Sequence, residues 1–291
     1  MQQHRQKAKD TLISGALYVV ATPIGNLADI SLRALAALEA ADVICAEDTR
    51  VTAKLLRAYG LHIPLISLRE HNEQAMAEKV IERLKAGEIV VQVSDAGTPA
   101  VCDPGARLVA AVRAADLPVF SIPGASAVLC ALSASGIVSD DFYFGGFLPA
   151  KKNEREKRLQ ELWRMSCPVI VYETPHRILD TIDELCLLPE RTITLARELT
   201  KTFETFITGS ATMLSGCLKN NPEQVRGEMV LIFHADEKSH HQENGAADFE
   251  RLLHALAEHL PTKQATQIAM QVCDGNKKDL YNRILEIKNS N

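Results

Sequence analysis

The residues best suited to chemistry lie in the segment 93–105, which reads VSDAGTPAVCDPG. An apolar run over 89–93 ends there in short polar residues, glycine and proline, and a second turn cluster follows at 103–105. Such residues after a strand place backbone amides and an acid in a crevice, which is where open α/β sheets bind ligands. We therefore predict a ligand-binding loop at 94–99, with an ordinary strand-to-helix turn as the alternative.

Four other strand ends in the first half of the chain carry similar polar clusters. The five clusters are TPIGN at 22–26, EDTR at 47–50, REHNE at 69–73, SDAGTP at 94–99 and PGASA at 123–127. Because a parallel sheet brings the carboxyl ends of its strands to one edge, we expect these clusters to converge. The connections on the opposite side carry little chemistry, so the pattern indicates one active cleft.

The elements that position these clusters alternate between strand and helix, which predicts a doubly wound parallel sheet. The predicted strands are 17–21, 43–46, 63–68, 89–93 and 118–122, with helices near 31–40, 50–58, 72–86 and 105–115. In the second half, strands are predicted at 142–147, 169–172, 192–196, 203–208 and 229–235, and helices at 154–165, 175–185 and 211–219. The segments FETFITGS and GEMVLIFHA suggest antiparallel pairing, so we expect a mixed second sheet.

The domain organisation that follows is α/β, with two α/β domains and a small C-terminal helical module. Its predicted parts are a flexible tail at 1–15, an N-terminal α/β domain at 16–122, a second α/β domain at 123–237, a linker at 238–247 and the helical module at 248–291. Three helical patterns fill the last of these, separated by Pro261 and Gly275.

Composition and charge exclude several classes of protein. The 291 residues carry a formal net charge of −5, which argues against a generic nucleic-acid coat but leaves room for a local basic patch. Seven cysteines occur without any C-x-x-C motif, so we expect reduced thiols and a cytoplasmic protein. No apolar run reaches the roughly 18 residues of a membrane span, so we expect no membrane partner.

No metal site is assigned from the sequence. His240 and His241 are adjacent in a polar stretch, and we interpret them as part of the linker. The chain contains no H-E-x-x-H, G-x-G-x-x-G or G-x-x-x-x-G-K-[ST] motif, which disfavours metalloprotease, dinucleotide-binding and P-loop functions.

Nine motifs in order carry a family resemblance: PIGNLADIS, AEDTR, HNE, VSDAGTPAVCDPG, PGASA, GFLPAK, YETPHR, ARELTK and GEMVL. Together they resemble the ribosomal small-subunit RNA methyltransferase I family of the tetrapyrrole-methylase superfamily. The resemblance covers about 17–235 and the helical tail. It implies a homodimer of two-domain subunits that uses S-adenosyl-L-methionine to methylate the ribose 2′-hydroxyl of a cytidine in small-subunit (16S) ribosomal RNA, either free or in the assembled subunit.

The same resemblance implies a set of cofactor-binding residues. These are Pro23, Asp95, Ala96, Gly97, Thr98, Ser126, Ala127, Tyr172, Ala196, Gly227 and Met229. One departure affects the assignment of Thr98. Related tetrapyrrole methylases have Gly-Asp-Pro where this chain has Ser94-Asp95-Ala96, so the aspartate is kept but the turn differs locally.

Methyl transfer to a ribose hydroxyl needs a proton acceptor or a group that stabilises the developing alkoxide. We predict catalytic roles for Glu47, Arg50, His71 and Lys201, with Asp48 and Glu73 as further candidates in the cleft. Each has a structural alternative. Asp48 or Thr49 could cap the next helix, a lone histidine is usually structural, and the Arg197–Lys201 loop could be a solvated ion-pair network.

Local basic clusters predict RNA contacts through phosphates. The candidates are Lys151, Lys152 and Arg155 in KKNEREKR, and Lys277, Lys278 and Arg283 near the last helix. The alternatives are a solvated helix start for the first cluster and a dimerisation or lid element for the helical module.

Two other functions stay open from the residues. One is a tetrapyrrole methyltransferase of vitamin B12 or sirohaem synthesis, against which AEDTR, HNE, LPAK and the helical tail argue. The other is a non-catalytic, cofactor-holding factor that binds RNA or assists ribosome assembly.

Overall fold

Short apolar segments of the first half form a five-stranded parallel sheet, as predicted. The computed structural model describes residues 2–235, 244–272 and 276–289. The strands are β1 (Leu17–Val20), β2 (Val43–Ala46), β3 (Leu65–Ser67), β4 (Val90–Val93) and β5 (Val119–Ile122), in the order β3-β2-β4-β1-β5. Strands β2 and β4 are buried along their whole length because helices cover both faces of the sheet. β3 is shorter than predicted, since Pro64 precedes it and has no N–H to donate.

Amphipathic helices connect these strands close to the predicted positions. They are α2 (Leu32–Ala40), α3 (Thr49–Ala58), α4 (Glu73–Lys85) and α5 (Ala106–Ala114). The Ser31 hydroxyl accepts a hydrogen bond from the Ala34 amide at 3.0 Å and so caps α2. All five strands point the same way, so the five polar clusters share the carboxyl edge of the sheet, as expected.

The first residues differ from the expected flexible tail at 1–15. Residues Gln2–Lys9 form helix α1, which packs against α2. Arg5 pairs with Glu39 at 3.0 Å, and the Ile13 amide donates to the Tyr18 hydroxyl at 2.7 Å. These contacts could not be predicted from the sequence, because α1 is polar and none of its residues is buried.

The second sheet is mixed, as predicted. The order of its strands was not predicted. Its strands are β6 (Tyr143–Phe147), β7 (Val169–Glu173), β8 (Ile193–Arg197), β9 (Thr205–Gly209) and β10 (Met229–Phe233), in the order β6-β7-β10-β8-β9. Only β6 and β7 are parallel. β9 and β10 each pair antiparallel with β8 and not with each other, because β10 lies between β7 and β8.

Four helices accompany this sheet: α6 (Ala127–Ala134), α7 (Lys152–Trp163), α8 (Ile178–Leu185) and α9 (Ala211–Asn220). α6 was not predicted; its buried residues Val128 and Ala131 join a core cluster with Ile170, Ala196 and Ile232 of the second sheet. The carboxyl ends of β6, β7 and β8 and the amino end of β10 lie at one edge. Both sheets belong to one compact unit, residues 1–234.

Residues 235–291 form a separate unit with its own core. Its described helices are α10 (Asn244–His259), α11 (Thr262–Val272) and α12 (Lys277–Asn289), matching the three predicted helical patterns. The core of this unit includes Leu253, Ala265 and Ile284. Of the predicted linker, 238–243 lies outside the described residues and α10 already begins at Asn244. Among the described helices of the whole chain, none has the length and apolarity needed to cross a membrane.

Candidate functional site

The polar loops at the carboxyl edge of the first sheet are joined by hydrogen bonds. The amides of Thr22 and Gly97 each donate to the other residue's carbonyl, at 2.9 and 3.1 Å. The Asp48 amide donates to Asp95 Oδ1 at 3.0 Å, and the Thr98 hydroxyl donates to the Ala125 carbonyl at 3.2 Å. The loop after β4 is therefore tied to the loops after β1, β2 and β5.

The loop between β4 and α5 has an unusual backbone. Ala100 and Cys102 have φ values of 65° and 63°, which L-residues with a side chain adopt at a cost of about 1–3 kcal/mol each. Gly105 has φ 121°, and a Cβ there would lie 1.6 Å from Gln92 Nε2. Such strain, held by surrounding contacts, is typical of a binding loop.

A cleft of about 380 Å³ separates this loop from the edge of the second sheet. Its lining is largely apolar and includes the buried residues Ile24, Leu199 and Val230. The Tyr172 ring lies between Phe144 and Phe147, with ring centroids 5.0 and 5.2 Å away in edge-on geometry. Burial of the Tyr172 phenol raises its pKa to about 12, so it stays protonated at neutral pH.

Most of the residues predicted to bind the cofactor line this cleft. They are Asp95, Ala96, Gly97, Thr98, Ser126, Ala127, Tyr172 and Met229. The other three do not reach its surface. Pro23 is buried next to the lining residue Ile24. Ala196 is fully buried in the core cluster that contains Val230, its neighbour in the sheet. A Cβ at Gly227 would lie 2.2 Å from Glu198 Oε1.

Sequence reasoning missed several residues that line the same cleft. They are Ile24, Glu47, Val101, Cys102, Asp103, Phe147, Glu173, Thr174, Pro175, Leu199, Glu228 and Val230, of which Glu47 had been assigned only to catalysis. Nearly all lie inside or beside the motifs quoted above, so the signal was present in the same segments. Apolar residues such as Leu199 were missed because, in a sequence, an apolar residue that lines a cleft cannot be distinguished from an ordinary core residue.

A second, polar cleft of about 670 Å³ adjoins the first. Its lining carries six carboxylates, two arginines and one histidine, namely Glu47, Asp48, Glu70, Glu73, Asp95, Asp103, Arg69, Arg107 and His71. Glu47, Asp95, Cys102 and Asp103 line both clefts. These four residues therefore mark the junction between an apolar cavity and an acidic one.

Two carboxyl groups at the junction hold protons unusually tightly. Burial raises the pKa of Asp103 to about 6, and repulsion from Glu47 adds to the effect. Burial also raises the pKa of Glu47, although the Asp95 amide donates to Glu47 Oε2 at 3.4 Å and opposes the shift. In the described part of the chain, no salt bridge reaches either carboxylate.

The remaining predicted catalytic residues lie around the clefts. Asp48 caps α3 and binds the Arg50 guanidinium, which lowers the pKa of Asp48 and leaves Arg50 82% exposed and outside both clefts. His71 is exposed and lines the polar cleft, as does the buried Glu73, whose carboxylate accepts from the Arg107 amide at 3.0 Å.

Lys201 joins the two sheets at the rim of the apolar cleft. Its Nζ lies 2.9 Å from Glu198 Oε1 and 3.2 Å from Glu228 Oε2, and its stem packs against Gly25. Burial lowers the pKa of Lys201, but the hydrogen bond to Glu198 and the attraction of Glu228 outweigh this and raise it. Lys201 is therefore a cation held in place and cannot accept a proton at neutral pH.

The predicted phosphate-binding cations fall into two groups. Arg155 differs from the other predicted cations, because its guanidinium is buried and donates hydrogen bonds of 2.8 and 2.6 Å to the two oxygens of Glu184. Lys151 and Lys152 are 80% and 71% exposed, and in the described part of the chain their ion pairs are with Glu154 and Glu156 in the first turns of α7. Such exposed pairs are weak, so both lysines remain available.

Of the cations predicted to bind RNA in the helical unit, Lys277 and Lys278 are exposed, whereas Arg283 forms ion pairs. Lys277 and Lys278 are exposed at the start of α12. Arg283 binds both oxygens of Glu250, each at 3.0 Å, and lies 3.1 Å from Glu286.

The apolar cleft fits the expected cofactor, S-adenosyl-L-methionine. Its size falls in the range of small-molecule sites, and aromatic and aliphatic walls suit an adenosine ring. The carboxylates of Asp95 and Glu228 suit an ammonium or sulfonium cation. Within the described ranges, no cluster of three or more His, Cys, Asp or Glu side chains could hold a metal ion, and His240 and His241 lie outside those ranges.

Comparison with solved structures supports the fold alone. The crystal structure of the methyltransferase CobJ superposes with a TM-score of 0.57 at 24% identity, covering 76% of this chain and 95% of that one. Uroporphyrin-III C-methyltransferase from Thermus thermophilus, complexed with S-adenyl homocysteine, gives a TM-score of 0.52 at 18% identity, covering 75% and 97%. Diphthine synthase gives 0.58 at 15% identity, covering 76% and 90%.

Sequence comparison identifies the family. The family model of the tetrapyrrole (corrin/porphyrin) methylases matches residues 16–214, and that of the RsmI C-terminal HTH domain matches 243–288. Proteins called ribosomal RNA small subunit methyltransferase I are 51% identical in Neisseria meningitidis serogroup A (99% of each chain), 44% in Haemophilus influenzae (93% of this chain, 96% of the other) and 42% in Escherichia coli O157:H7 (98% and 99%). The chain therefore belongs to the ribosomal RNA small subunit methyltransferase I family and carries the tetrapyrrole methylase fold.

Proposed function

We propose that this protein is an S-adenosylmethionine-dependent methyltransferase that methylates the ribose 2′-hydroxyl of a cytidine in small-subunit (16S) ribosomal RNA. The observation that carries the proposal is the junction of two clefts, one apolar and one acidic, which share Glu47, Asp95, Cys102 and Asp103. A methyl donor bound in the first cleft and a ribose bound in the second would meet at these residues.

The chain's own contribution is to bind and align the reactants. When bound, S-adenosylmethionine supplies a methyl group on a sulfonium, a good leaving group. We assign its binding to Pro23, Asp95, Ala96, Gly97, Thr98, Ser126, Ala127, Tyr172, Ala196, Gly227 and Met229. Pro23, Ala196 and Gly227 do not line the cleft, so they would support the lining residues and not contact the cofactor directly. Alignment of two reactants in a dry site accounts for a large part of the rate in such reactions.

Four residues are proposed to raise the rate around the clefts. Glu47 acts through its charge at the junction, and His71 contacts the substrate in the polar cleft. Lys201 is a fixed cation at the rim, where it favours developing negative charge. Arg50 reaches solvent beside the polar cleft and is proposed to hold a phosphate once it leaves Asp48.

Phosphates are proposed to be held outside the polar cleft, because its lining is rich in carboxylates that repel them. Lys151, Lys152, Lys277 and Lys278 are exposed and suited to this role, and Arg283 contributes where Glu250 releases it. The partner is small-subunit rRNA or the assembled small subunit. The protein is further proposed to act in the cytoplasm as a homodimer.

The relatives favour this function over a tetrapyrrole methyltransferase, since they share 51% to 42% identity over nearly the full chain, including the helical unit. Incubation of the purified protein with tritiated S-adenosylmethionine and unmethylated small subunits tests the proposal. We expect label in 2′-O-methylcytidine after nuclease digestion. Label transferred to uroporphyrinogen instead, or no transfer despite cofactor binding, would contradict it in favour of the two alternatives.

A further inference from the structure

We propose that Asp103 is the catalytic residue that accepts the proton of the ribose hydroxyl, an inference that rests on the proposed function. Asp103 belongs to the second turn of the segment 93–105, not to the loop expected to hold the cofactor. It lines the apolar cleft and the polar cleft alike. A group at this junction can reach a hydroxyl that lies beside a methyl donor.

The carboxylates around the polar cleft differ in how far they are already engaged. Asp48 binds Arg50, and Glu73 accepts the Arg107 amide. Asp95 accepts the Asp48 amide. Glu47 accepts the Asp95 amide, although at 3.4 Å. Asp103 accepts a hydrogen bond from the Ser94 hydroxyl, so it keeps acceptor capacity for a substrate hydroxyl, as Glu47 does.

The loop holds Asp103 in a fixed position. Gln92, buried in the centre of β4, reaches the Pro104 carbonyl at 3.5 Å through its Nε2. The absence of a side chain at Gly105 makes this approach possible. Cys102, which has φ 63°, packs with its Sγ 3.0 Å from the position a Cβ would take at Gly146 in β6. Asp103 is therefore anchored from both sheets.

Two carboxylates face Asp103, that of Glu47 after β2 and that of Asp95 after β4. The Cys102 thiol and the Tyr172 phenol of β7 are uncharged at neutral pH because burial raises the pKa of each, and Arg69, His71 and Arg107 line the polar cleft. Partial burial and the charges of Glu47 and Asp95 raise the pKa of Asp103 to about 6. This value is close to neutral pH, where a general base is most effective. Glu47 then acts by charge, not by contact with the proton.

The step balances with S-adenosylmethionine as the methyl donor. The Asp103 carboxylate takes the proton from the 2′-hydroxyl as the hydroxyl oxygen forms its bond to the methyl carbon. The carbon–sulfur bond breaks, and its electron pair stays on sulfur, which becomes a neutral thioether. The products are the 2′-O-methyl ribose, S-adenosylhomocysteine and a protonated Asp103 that releases its proton to water.

The test compares Asp103→Asn with wild type on small subunits, with Glu78→Gln on the exposed face of α4 as a control for loss of one charge. We expect kcat to fall about 10²–10⁴-fold in Asp103→Asn, while the Kd for the cofactor and the KM for RNA change by less than about threefold. Asp103→Glu keeps a carboxylate and should restore part of kcat. Wild-type kcat should rise with pH through an acid limb near pH 6, which Asp103→Asn should lack.

Glu47→Gln separates the two carboxylates. If Asp103 is the acceptor, removal of the Glu47 charge lowers the pKa of Asp103, so the acid limb moves to lower pH and kcat falls by less than in Asp103→Asn. If Glu47 is the acceptor, Glu47→Gln loses the limb and most of the activity while Asp103→Asn keeps both, which overturns the proposal. The two groups interact, so the limb reports the pair as a whole.

Stability gives a readout that is independent of turnover. The pKa of Asp103 rises from 3.8 to about 6 on folding, so the folded state binds this proton more tightly and loses stability as pH rises through that window. The melting temperature of Asp103→Asn should therefore increase relative to wild type between pH 4 and pH 7. A flat difference together with wild-type kcat contradicts the inference. If wild type itself transfers no methyl group, the proposed function fails and this inference falls with it.

Discussion

At the scale of single residues, neighbours decide what each carboxylate around the clefts can do. Asp48 and Asp103 line the same polar cleft, but the hydrogen bond from Arg50 lowers the pKa of Asp48 whereas burial raises that of Asp103. Sequence reasoning included Asp48 and omitted Asp103, because Asp103-Pro104-Gly105 has the composition of an ordinary turn. The difference lies in burial, which depends on both sheets and is not visible in the local sequence.

Asp95 is predicted to be a main anchor of the cofactor. Asp95→Ala removes a charged acceptor at the cleft and the bond from the Asp48 amide. Loss of a hydrogen bond to a charged group costs about 1.5–3 kcal/mol, so we expect calorimetry to show about 10- to 100-fold weaker S-adenosylmethionine binding. Glu78→Ala, on the exposed face of α4, serves as the control. Unchanged binding by Asp95→Ala would remove this residue from the site.

Arg155 is predicted to act in folding and not in RNA binding. Its side chain is 4% exposed and that of Glu184 is 7% exposed. Arg155→Met leaves the Glu184 carboxylate buried without its partner, so we expect a loss of about 3–5 kcal/mol in the free energy of unfolding. Denaturant titration measures this, with the exposed Lys152→Met as the control. A variant of wild-type stability that binds RNA more weakly would restore the original assignment.

At the scale of elements, periodic patterns predicted the strands and most helices to within a few residues, since buried strands and amphipathic helices carry local signals. The same periodicity also predicts the burial of Arg155, because this residue lies on the buried face of α7 with Leu159 and Leu162. The order of strands in the second sheet could not be predicted, because it depends on which apolar faces pack together and not on any one segment. Helix α6, with the sequence AVLCALSA, was missed because it is short and apolar around most of its surface and so lacks the periodicity of an amphipathic helix.

The β4–α5 loop is predicted to depend on Gly105 for steric reasons. A Cβ at Gly105 would meet the Gln92 side chain, and at Gly60 the space is open although φ is 72°. Gly60→Ala should therefore cost about 1–2 kcal/mol from backbone strain alone. Gly105→Ala should cost more and weaken cofactor binding, as measured by denaturant titration and calorimetry. Equal costs for the two variants would show that Gln92 adapts and does not fix the loop.

At the scale of the whole molecule, methyl transfer is proposed to take place in the α/β unit, and the helical unit is proposed to add phosphate contacts to those of the α/β unit. The α/β unit, residues 1–234, contains both clefts, whereas the helical unit has a separate core and exposed lysines at the start of α12. The polar stretch at 238–247 predicts such a division from the sequence, and this boundary stays a prediction. The helical unit has two candidate roles, RNA binding and association of subunits.

Charge reversal in the helical unit distinguishes these roles. Lys277→Glu with Lys278→Glu should weaken binding to small subunits and reduce the slope of log affinity against log salt by about 1 for each lost phosphate contact. Cofactor binding should not change, and Lys263→Glu on α11 provides a matched control. Wild-type affinity in the variant, or dissociation of a dimer seen by sedimentation, would instead indicate a solvated face or a subunit interface.

This chain is proposed to place one methyl group on a cytidine ribose of small-subunit rRNA. The most direct measurement is a map of 2′-O-methylation in rRNA from a deletion strain and from that strain complemented with wild type or Asp95→Ala. The proposed function predicts one cytidine methylation that disappears on deletion, returns with wild type and is reduced or absent with Asp95→Ala. A small-subunit methylation pattern identical in all strains would contradict it.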